Sequence, residues 1–242
     1  MSQFWADIAF LHWRVEADVL LPFMPPGARP DLYDGSAWVG LLPFRMERAA
    51  IGAGPAVPYL GTFWETNVRL YSTDDRGRPG VVFLSLEAER LAVVLGARTV
   101  FNVPYFWAQM SGCVDGVVGQ RTHRYRSQRR VPPGHTATRS LIEVTVGEPL
   151  ASPGPLEIFL SARFGLHTSL AGRGVWVPNT HRPWPLRTAR VANLKDELVA
   201  ATGLPDLPAE RPPDHVMFSS GVHTHFGMPT LHRRAAARPG FG

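Results

Sequence analysis

One nine-residue stretch, residues 63–71, constrains the fold more than any other part of the sequence. Its side chains alternate between two compositions, as they do on the two faces of a β-strand. One face is largely apolar and carries Trp64, Thr66, Val68 and Leu70. The other face places an acid, an amide, a guanidinium and a phenol in one row and carries Phe63, Glu65, Asn67, Arg69 and Tyr71. Two interpretations are open: the solvated face of an antiparallel strand, or the wall of a barrel or cleft that receives a polar small molecule.

Composition favours one β-rich domain. The 242 residues include 23 glycines and 23 prolines, which indicate many turns and disfavour long helices. Chains of this length often form a single β-barrel or sandwich. We therefore predict a mostly β (α+β) fold in which a single, largely antiparallel domain over residues 1–232, with two or three short helices, closes into a β-barrel or a strongly curved sheet. The basic tail, residues 233–242, is expected to be disordered.

Local patterns locate the individual elements. Alternation or continuous apolar runs predict strands at 10–16, 37–44, 63–71, 81–89, 116–126, 137–146, 155–164 and 216–226. Helical spacing and end signals predict helical segments at 18–23, 90–102 and 194–202, the last capped by Asn193.

Charge and cysteine usage exclude several classes of protein. The net charge is +5, nearly all of the positive charge is arginine, and Lys195 is the only lysine. Cys113 is the only cysteine, which excludes an intramolecular disulfide and a cysteine-based metal site. The N-terminus has no basic segment followed by an apolar run, and no apolar run reaches the roughly 18 residues of a membrane helix. We therefore expect a cytoplasmic protein that does not bind membranes.

Several strings, in their order along the chain, resemble the DUF2071 (YqjF-like) family, which is placed in the acetoacetate decarboxylase-like superfamily. They are FMPPG, DLYDGSAWVGLLPF, FWETNVRLY, GVVFLSLEAERLAVVLGARTVFNVPY, HRYRSQRR, HRPWPL and SSGVHTHFG. The resemblance covers about residues 8–230. It implies a cone-like β-barrel with an interior pocket, commonly in an oligomer, so a homo-oligomer is compatible with it.

The resemblance also carries an expectation about the chemistry. Acetoacetate decarboxylases use a pocket lysine that forms a Schiff base with the substrate. Here Tyr105 or Phe106 aligns with that lysine, and Lys195 lies far downstream in a predicted helix. Lysine-based decarboxylation is therefore disfavoured, and we expect no cofactor. Glu65 resembles the glutamate of the superfamily pocket.

The candidate catalytic residues are Glu65, Arg69 and Tyr105. A partly buried Glu65 would have a raised pKa and act as general acid or base. Arg69 would bind a carboxylate or enolate through two hydrogen bonds, and Tyr105 would donate a hydrogen bond to a developing enolate. A structural ion pair between Glu65 and Arg69 is the alternative. Further substrate-binding candidates share strand faces with polar neighbours: Phe63, Asn67, Tyr71, Arg121, His123, Arg163 and His223.

Two other patterns, a basic hairpin and a pair of histidines, are also compatible with ordinary surface roles. The basic hairpin around Arg121 and His123 has few interleaved aromatic residues and no nucleic-acid motif, so we expect no nucleic-acid partner. His223 and His225 place two imidazoles on one strand face, which makes them weak metal candidates because no glutamate follows shortly after them.

The sequence thus favours an enzyme, or an enzyme-like pocket, for a small oxo or unsaturated organic acid. The catalysis would be acid–base or electrostatic, of a lyase, hydratase, cyclase or isomerase type, with a small anionic ligand as the partner. A non-catalytic small-molecule-binding protein on the same barrel is the alternative. A metalloprotein that uses His223 and His225 is the third hypothesis.

Overall fold

Within the part of the chain that the structure describes, the strands join into one thirteen-stranded sheet. The structure, a computed structural model, describes residues 1–50, 54, 57–95, 103–117, 120–132 and 134–231. The strands are β1 (Ser2–Val15), β2 (Ala28–Pro30), β3 (Ala37–Ala50), β4 (Phe63–Asp74), β5 (Pro79–Ala88), β6 (Tyr105–Asp115), β7 (Thr122–Arg129), β8 (Arg139–Pro149), β9 (Gly165–Leu170), β10 (Arg173–His181), β11 (Leu186–Asp196), β12 (His215–Phe226) and β13 (Thr230–Leu231). The helices are α1 (Ala17–Leu20), followed by a 3₁₀ turn (Leu21–Phe23), α2 (described over 91–95), α3 (Pro155–Ser161), α4 (Leu198–Ala201) and α5 (Leu207–Glu210).

The sheet closes into a ring rather than a regular barrel. Its order is β13-β10-β9-β5-β6-β7-β8-β11-β12-β1-β3-β4-β2, and additional β4–β5 and β10–β12 pairings join distant parts of that order. The pairs β5–β6 and β5–β9 are parallel, and the other described pairs are antiparallel. The predicted mostly β, largely antiparallel fold with short helices is therefore confirmed.

Strand β4 lies between two hydrophobic clusters. Val68 and Leu70 pack in one cluster with Leu11, whereas Phe63 and Tyr71 belong to the other. The polar row on the second face is buried as well: the exposed fraction is 3% for Glu65, 1% for Asn67 and 4% for Arg69. The interpretation of this row as a solvated strand face is therefore wrong.

A β-bulge in β5 changes which of its side chains face the site. Val68 pairs with Ser85, but the next residue, Arg69, pairs with Phe83, so one extra residue lies in β5. An extra residue reverses the alternation of side chains beyond it. Phe83 and Leu86 consequently line the same cavity, although strict alternation places them on opposite faces.

One predicted element is wrong, a second is right only in part, and a third is tested only in part. Residues 155–164 were expected to be a strand, but α3 forms there with a proline in its first turn, where the missing N–H costs no helical hydrogen bond. Of the predicted helix 194–202, residues 194–196 form the end of strand β11 and Leu198–Ala201 form α4. The residue before α4 is Glu197 rather than the predicted cap Asn193, and Asp196 Oδ2 accepts the Val199 N–H at 3.0 Å.

The remaining predictions concern regions at the edges of the described chain. Of the predicted helix 90–102, residues 91–95 are helical, and residues 96–102 lie outside the described residues. The predicted disordered tail, 233–242, also lies outside them. Across the described residues, no helix combines the length and the apolar character needed to cross a bilayer.

Candidate functional site

An apolar cavity of about 370 Å³ lies inside the ring of strands. Its walls come from β1, β3, β4, β5, β6, β9, β10 and β12, together with helix α2. Among the described lining residues, polar side chains come from Gln3, Glu65 and Tyr105. A concave, mostly apolar space with a few polar groups is typical of a small-molecule site.

Glu65 brings a carboxyl group into this apolar wall. Tyr105 Oη donates a hydrogen bond to Glu65 Oε2 at 3.0 Å. Burial raises the pKa of Glu65 to about 8, although hydrogen bonds from Tyr105 and Asn67 act in the opposite direction. Burial and the nearby Glu65 also raise the pKa of the Tyr105 phenol. Glu65 is therefore mainly protonated at neutral pH and is poised to donate a proton.

Arg69 lies further along β4 and does not pair with Glu65. Its Nη2 donates to Tyr71 Oη and to the Leu160 carbonyl oxygen, both at 3.0 Å, and its Nε donates to Tyr71 Oη at 3.2 Å. Among the described residues, no ion pair includes Arg69 or Glu65. The alternative of a structural Glu65–Arg69 ion pair is therefore wrong. A buried guanidinium without a carboxylate partner is costly, and an anionic ligand would neutralise it.

A small gap beside Arg69 is lined by further polar side chains, two of them basic. The gap has a volume of about 10 Å³, close to that of one water molecule, and Arg163, His181 and Asn179 also line it. Arg163 forms an ion pair with Asp31 and donates from Nε to the Phe159 carbonyl at 2.7 Å. Burial lowers the pKa of Arg163 and that of His181, and the charge of Arg69 lowers both further. We call this region the cationic gap.

The cationic gap adjoins the apolar cavity. Trp5, Phe83, Leu166 and Phe226 line both spaces. Asn67 occupies the β4 position between Glu65 and Arg69, and its Oδ1 has no hydrogen-bond partner among the described residues. The site therefore has a cationic end, an apolar body and a protonated carboxyl on the cavity wall.

Of the other predicted site residues, Phe63 and Tyr71 lie at the site, whereas Arg121 and His123 lie away from it. Phe63 lines the cavity, and Tyr71 lies behind Arg69, where its hydroxyl donates to the Leu160 carbonyl at 3.1 Å. Arg121 is exposed just before β7. His123 packs on Phe218, with ring centres 4.5 Å apart, and Phe218 belongs to the hydrophobic cluster that contains Val68 and Leu70. Arg121 and His123 line neither the cavity nor the cationic gap.

His223 and His225 lie on the outside of the protein. Both are exposed on β12, and both line an open groove that also includes Arg182. Within the described part of the chain, no group of three His, Cys, Asp or Glu residues is placed to hold a metal ion.

Three contributors to the site were absent from the sequence-based candidates. His12 Nε2 lies 2.6 Å from Tyr71 Oη, and Asp31 forms an ion pair with Arg163. The carbonyl oxygen of Leu160, in α3, accepts a hydrogen bond from Arg69. His12 follows the alternation of the first strand, so its strand face was readable. Asp31 and the Leu160 carbonyl have no sequence signal, since both act through contacts with distant parts of the chain.

The family is settled by sequence. The model of the DUF2071 family, described as an uncharacterized conserved protein, matches residues 2–223. The chain belongs to this family. It is 31% identical over 212 residues to the protein YqjF of Bacillus subtilis (strain 168), and the match covers 88% of this chain and 85% of YqjF. The predicted DUF2071 membership is confirmed.

Several solved structures have the same fold as this chain of the DUF2071 family. Acetoacetate decarboxylase from Legionella pneumophila aligns with a TM-score of 0.62 at 14% identity, over 96% of this chain and 87% of that one. An acetoacetate decarboxylase-like enzyme from Sphingomonas wittichii RW1 gives 0.61 at 14%, over 96% and 92%. The enduracididine biosynthesis enzyme MppR complexed with pyruvate gives 0.57 at 18%, over 96% and 88%. These likenesses confirm the predicted acetoacetate decarboxylase-like fold.

Proposed function

We propose that this protein is an enzyme that acts on a small oxo or unsaturated organic acid, with Glu65 as the group that moves a proton. The observation that carries the proposal is the Glu65 carboxyl, which is buried in the wall of an apolar cavity, lacks an ionic partner among the described residues, and has its pKa raised to about 8 by burial. A pKa close to the working pH is what general acid–base catalysis requires.

The cationic gap supplies the binding half of the proposal. Arg69 is buried and has no carboxylate partner among the described residues, so an anionic group at the gap gains charge-assisted hydrogen bonds in a site of low dielectric. Arg163 adds a second guanidinium, although Asp31 already neutralises it. The fold supports this reading, because one structure of the same fold, MppR, is complexed with pyruvate.

Proton donation by Glu65 needs a group that stabilises the carboxylate left behind. Tyr105 already donates a hydrogen bond to Oε2 of Glu65, and this bond strengthens when the carboxyl ionises. Asn67 acts in the same direction. Ionised Glu65 takes a carbon-bound proton from the oxo acid as the C–H electron pair forms an enolate, and protonated Glu65 returns a proton to that carbon as the C=O bond re-forms. Tyr105 and Asn67 stabilise the carboxylate form of Glu65.

The proposed chemistry does not use a Schiff base. Lys195, the only lysine of the chain, is exposed on β11 and does not line the cavity. Tyr105, one of the two residues expected to align with the lysine of acetoacetate decarboxylases, instead hydrogen-bonds Glu65. A non-catalytic binding protein is the second candidate, because the unpaired charge of Arg69 serves binding as well as it serves catalysis.

Proton exchange separates these two candidates. The protein is incubated in D₂O with a panel of oxo and unsaturated acids that differ in chain length and in the position of the oxo group or double bond, and the loss of carbon-bound protons or the addition of water is followed by ¹H NMR. Glu65→Gln is compared with Glu148→Gln, which makes the same change at an exposed position. We expect exchange in the wild type and in Glu148→Gln, and a rate at least ~100-fold lower in Glu65→Gln.

Two results would contradict the proposal. Acids that bind without any exchange would indicate a binding protein. Equal exchange in Glu65→Gln and the wild type would show that another group moves the proton.

A further inference from the structure

The volume of the apolar cavity sets the size of its ligand. At about 370 Å³, it is more than twice the ~150 Å³ of an engineered apolar cavity that holds one benzene molecule. The described lining is apolar apart from Gln3, Glu65 and Tyr105. An acid of three or four carbons would leave most of this wall in contact with water, at a cost proportional to the apolar area.

The spacing along β4 leads to the same conclusion. Glu65 and Arg69 are four residues apart on one strand, so their Cα atoms are separated by roughly 13 Å. The Arg69 guanidinium bonds Tyr71 Oη, the next side chain on that face in the direction away from Glu65. A three-carbon acid held at Arg69 therefore does not reach the Glu65 carboxyl.

We propose that the ligand is an amphipathic organic acid with an apolar body on the order of ten carbon atoms, scaled from the volume that holds benzene. One oxygen of its carboxylate occupies the water-sized cationic gap, and the rest of the molecule, with its apolar body, lies in the cavity. The proton that Glu65 moves is then several bonds away from the carboxylate, so the carboxylate anchors the ligand and is not the group that leaves. This inference rests on the proposed function for the placement of the anion and for the role of Glu65.

The shared wall makes the arrangement continuous. Phe83, from the bulged segment of β5, and Phe226, at the end of β12, contact both the gap and the cavity. A chain that starts in the gap therefore enters the cavity between aromatic side chains. Each methylene that moves from water onto these walls strengthens binding by about fourfold.

The test is a binding series measured by isothermal titration calorimetry. Straight-chain 2-oxo acids from three to about twelve carbons are compared with their methyl esters, which keep the chain and remove the charge. We expect the Kd of the acids to fall by about fourfold per methylene until the cavity is full, and the esters to bind at least ~10-fold more weakly. In Ala50→Leu, which adds three carbon atoms to the cavity wall, the optimum moves to a shorter acid.

The outcomes separate this inference from the proposed function. If three- and four-carbon acids bind best, or if affinity does not depend on length, the inference is overturned, and the proposed function stands provided that those acids exchange protons at Glu65. If no acid of any length binds, or if the esters bind as tightly as the acids, both fail, because the cationic gap then recognises no anion.

Discussion

Tyr105 and Glu65 form a hydrogen bond of 3.0 Å although their strands are not neighbours in the sheet. Strand β5 lies between them, with Ala88 opposite Glu65 on one side and Leu86 opposite Tyr105 on the other. Leu86 and Ala88 are two residues apart and share one face of β5, so Tyr105 and Glu65 lie on the same face of the sheet and the phenol reaches across β5 to the carboxyl. The hydrogen bond favours the ionised carboxylate, whereas burial favours the protonated acid and dominates.

The stability of the protein should depend on the protonation of Glu65. Its pKa is about 8 in the folded state and 4.5 ordinarily, so the folded state retains a proton that the unfolded chain releases, and stability falls as the pH rises from about 4.5 to 8. From pH 6 to pH 8 the decrease should be about 2 kcal/mol. Glu65→Gln should lack this component, as measured by urea unfolding at each pH.

The comparison is made as a difference between variants, because histidines also titrate in this range. Burial lowers the pKa of His12 and that of His181, and this contribution is common to the wild type and Glu65→Gln. Asp196, with a pKa raised to about 6 by burial, contributes mainly at lower pH. An unchanged slope in Glu65→Gln would mean that Glu65 is ionised in the folded protein.

Tyr105→Phe should raise the pKa of Glu65 above 8, because the variant removes a hydrogen bond that favours the ionised form. The range of pH over which stability falls should then extend to higher pH, because its upper limit is the pKa in the folded state. Proton exchange should slow by about tenfold or more. A ¹³C NMR titration of labelled glutamate measures the pKa directly. Tyr59→Phe, at a tyrosine that is 72% exposed, serves as the control. A lower pKa in Tyr105→Phe would contradict the account.

Asp31→Asn should destabilise the protein by about 3 kcal/mol, because it leaves the buried Arg163 guanidinium without its carboxylate. Asp75→Asn provides the matched control, since the Arg29–Asp75 pair has side chains 60% and 81% exposed and should contribute less than ~1 kcal/mol. The additional unpaired charge in Asp31→Asn should also tighten the binding of organic acids. Chemical unfolding and titration calorimetry measure the two effects, and weaker acid binding would contradict a cationic gap.

Arg69→Met should cost little stability in the absence of ligand. The substitution removes a buried cation that has no carboxylate partner among the described residues, and the Leu160 carbonyl keeps its hydrogen bond from Tyr71 at 3.1 Å. We expect the free energy of unfolding to stay within about 1 kcal/mol of the wild type or to rise. A loss above ~3 kcal/mol in urea unfolding would indicate that Arg69 is a structural residue.

The sequence was sufficient for the polar row of β4 because one face of that strand is continuous core. With Val68 and Leu70 fixed on that face, alternation alone places Glu65, Asn67 and Arg69 on the other. The burial of both faces was not predictable, since it results from strands and a helix that are distant in the sequence.

The errors have local causes. The apolar residues Leu156, Ile158 and Leu160 alternate as in a strand, but Pro155 after Gly154 is a signal for the start of a helix, and the helix forms. With a strand predicted at 155–164, the hydrogen bond from Arg69 to the Leu160 carbonyl could not be predicted. The bulge in β5 has no sequence signal, because an extra residue in a strand is defined by its pairing with β4. The resemblance to acetoacetate decarboxylases pointed to the position of Tyr105, but the contact with Glu65 depends on the parallel register of β5 and β6.

The most direct test of the central claim is a thermal-shift screen of the wild type and Arg69→Met with oxo and unsaturated acids of different lengths. The account predicts that an acid at about 100 times its Kd raises the Tm of the wild type by roughly 5–10 °C and leaves the Tm of Arg69→Met unchanged. Equal shifts in both proteins, or no shift with any acid, would contradict an anion site at Arg69.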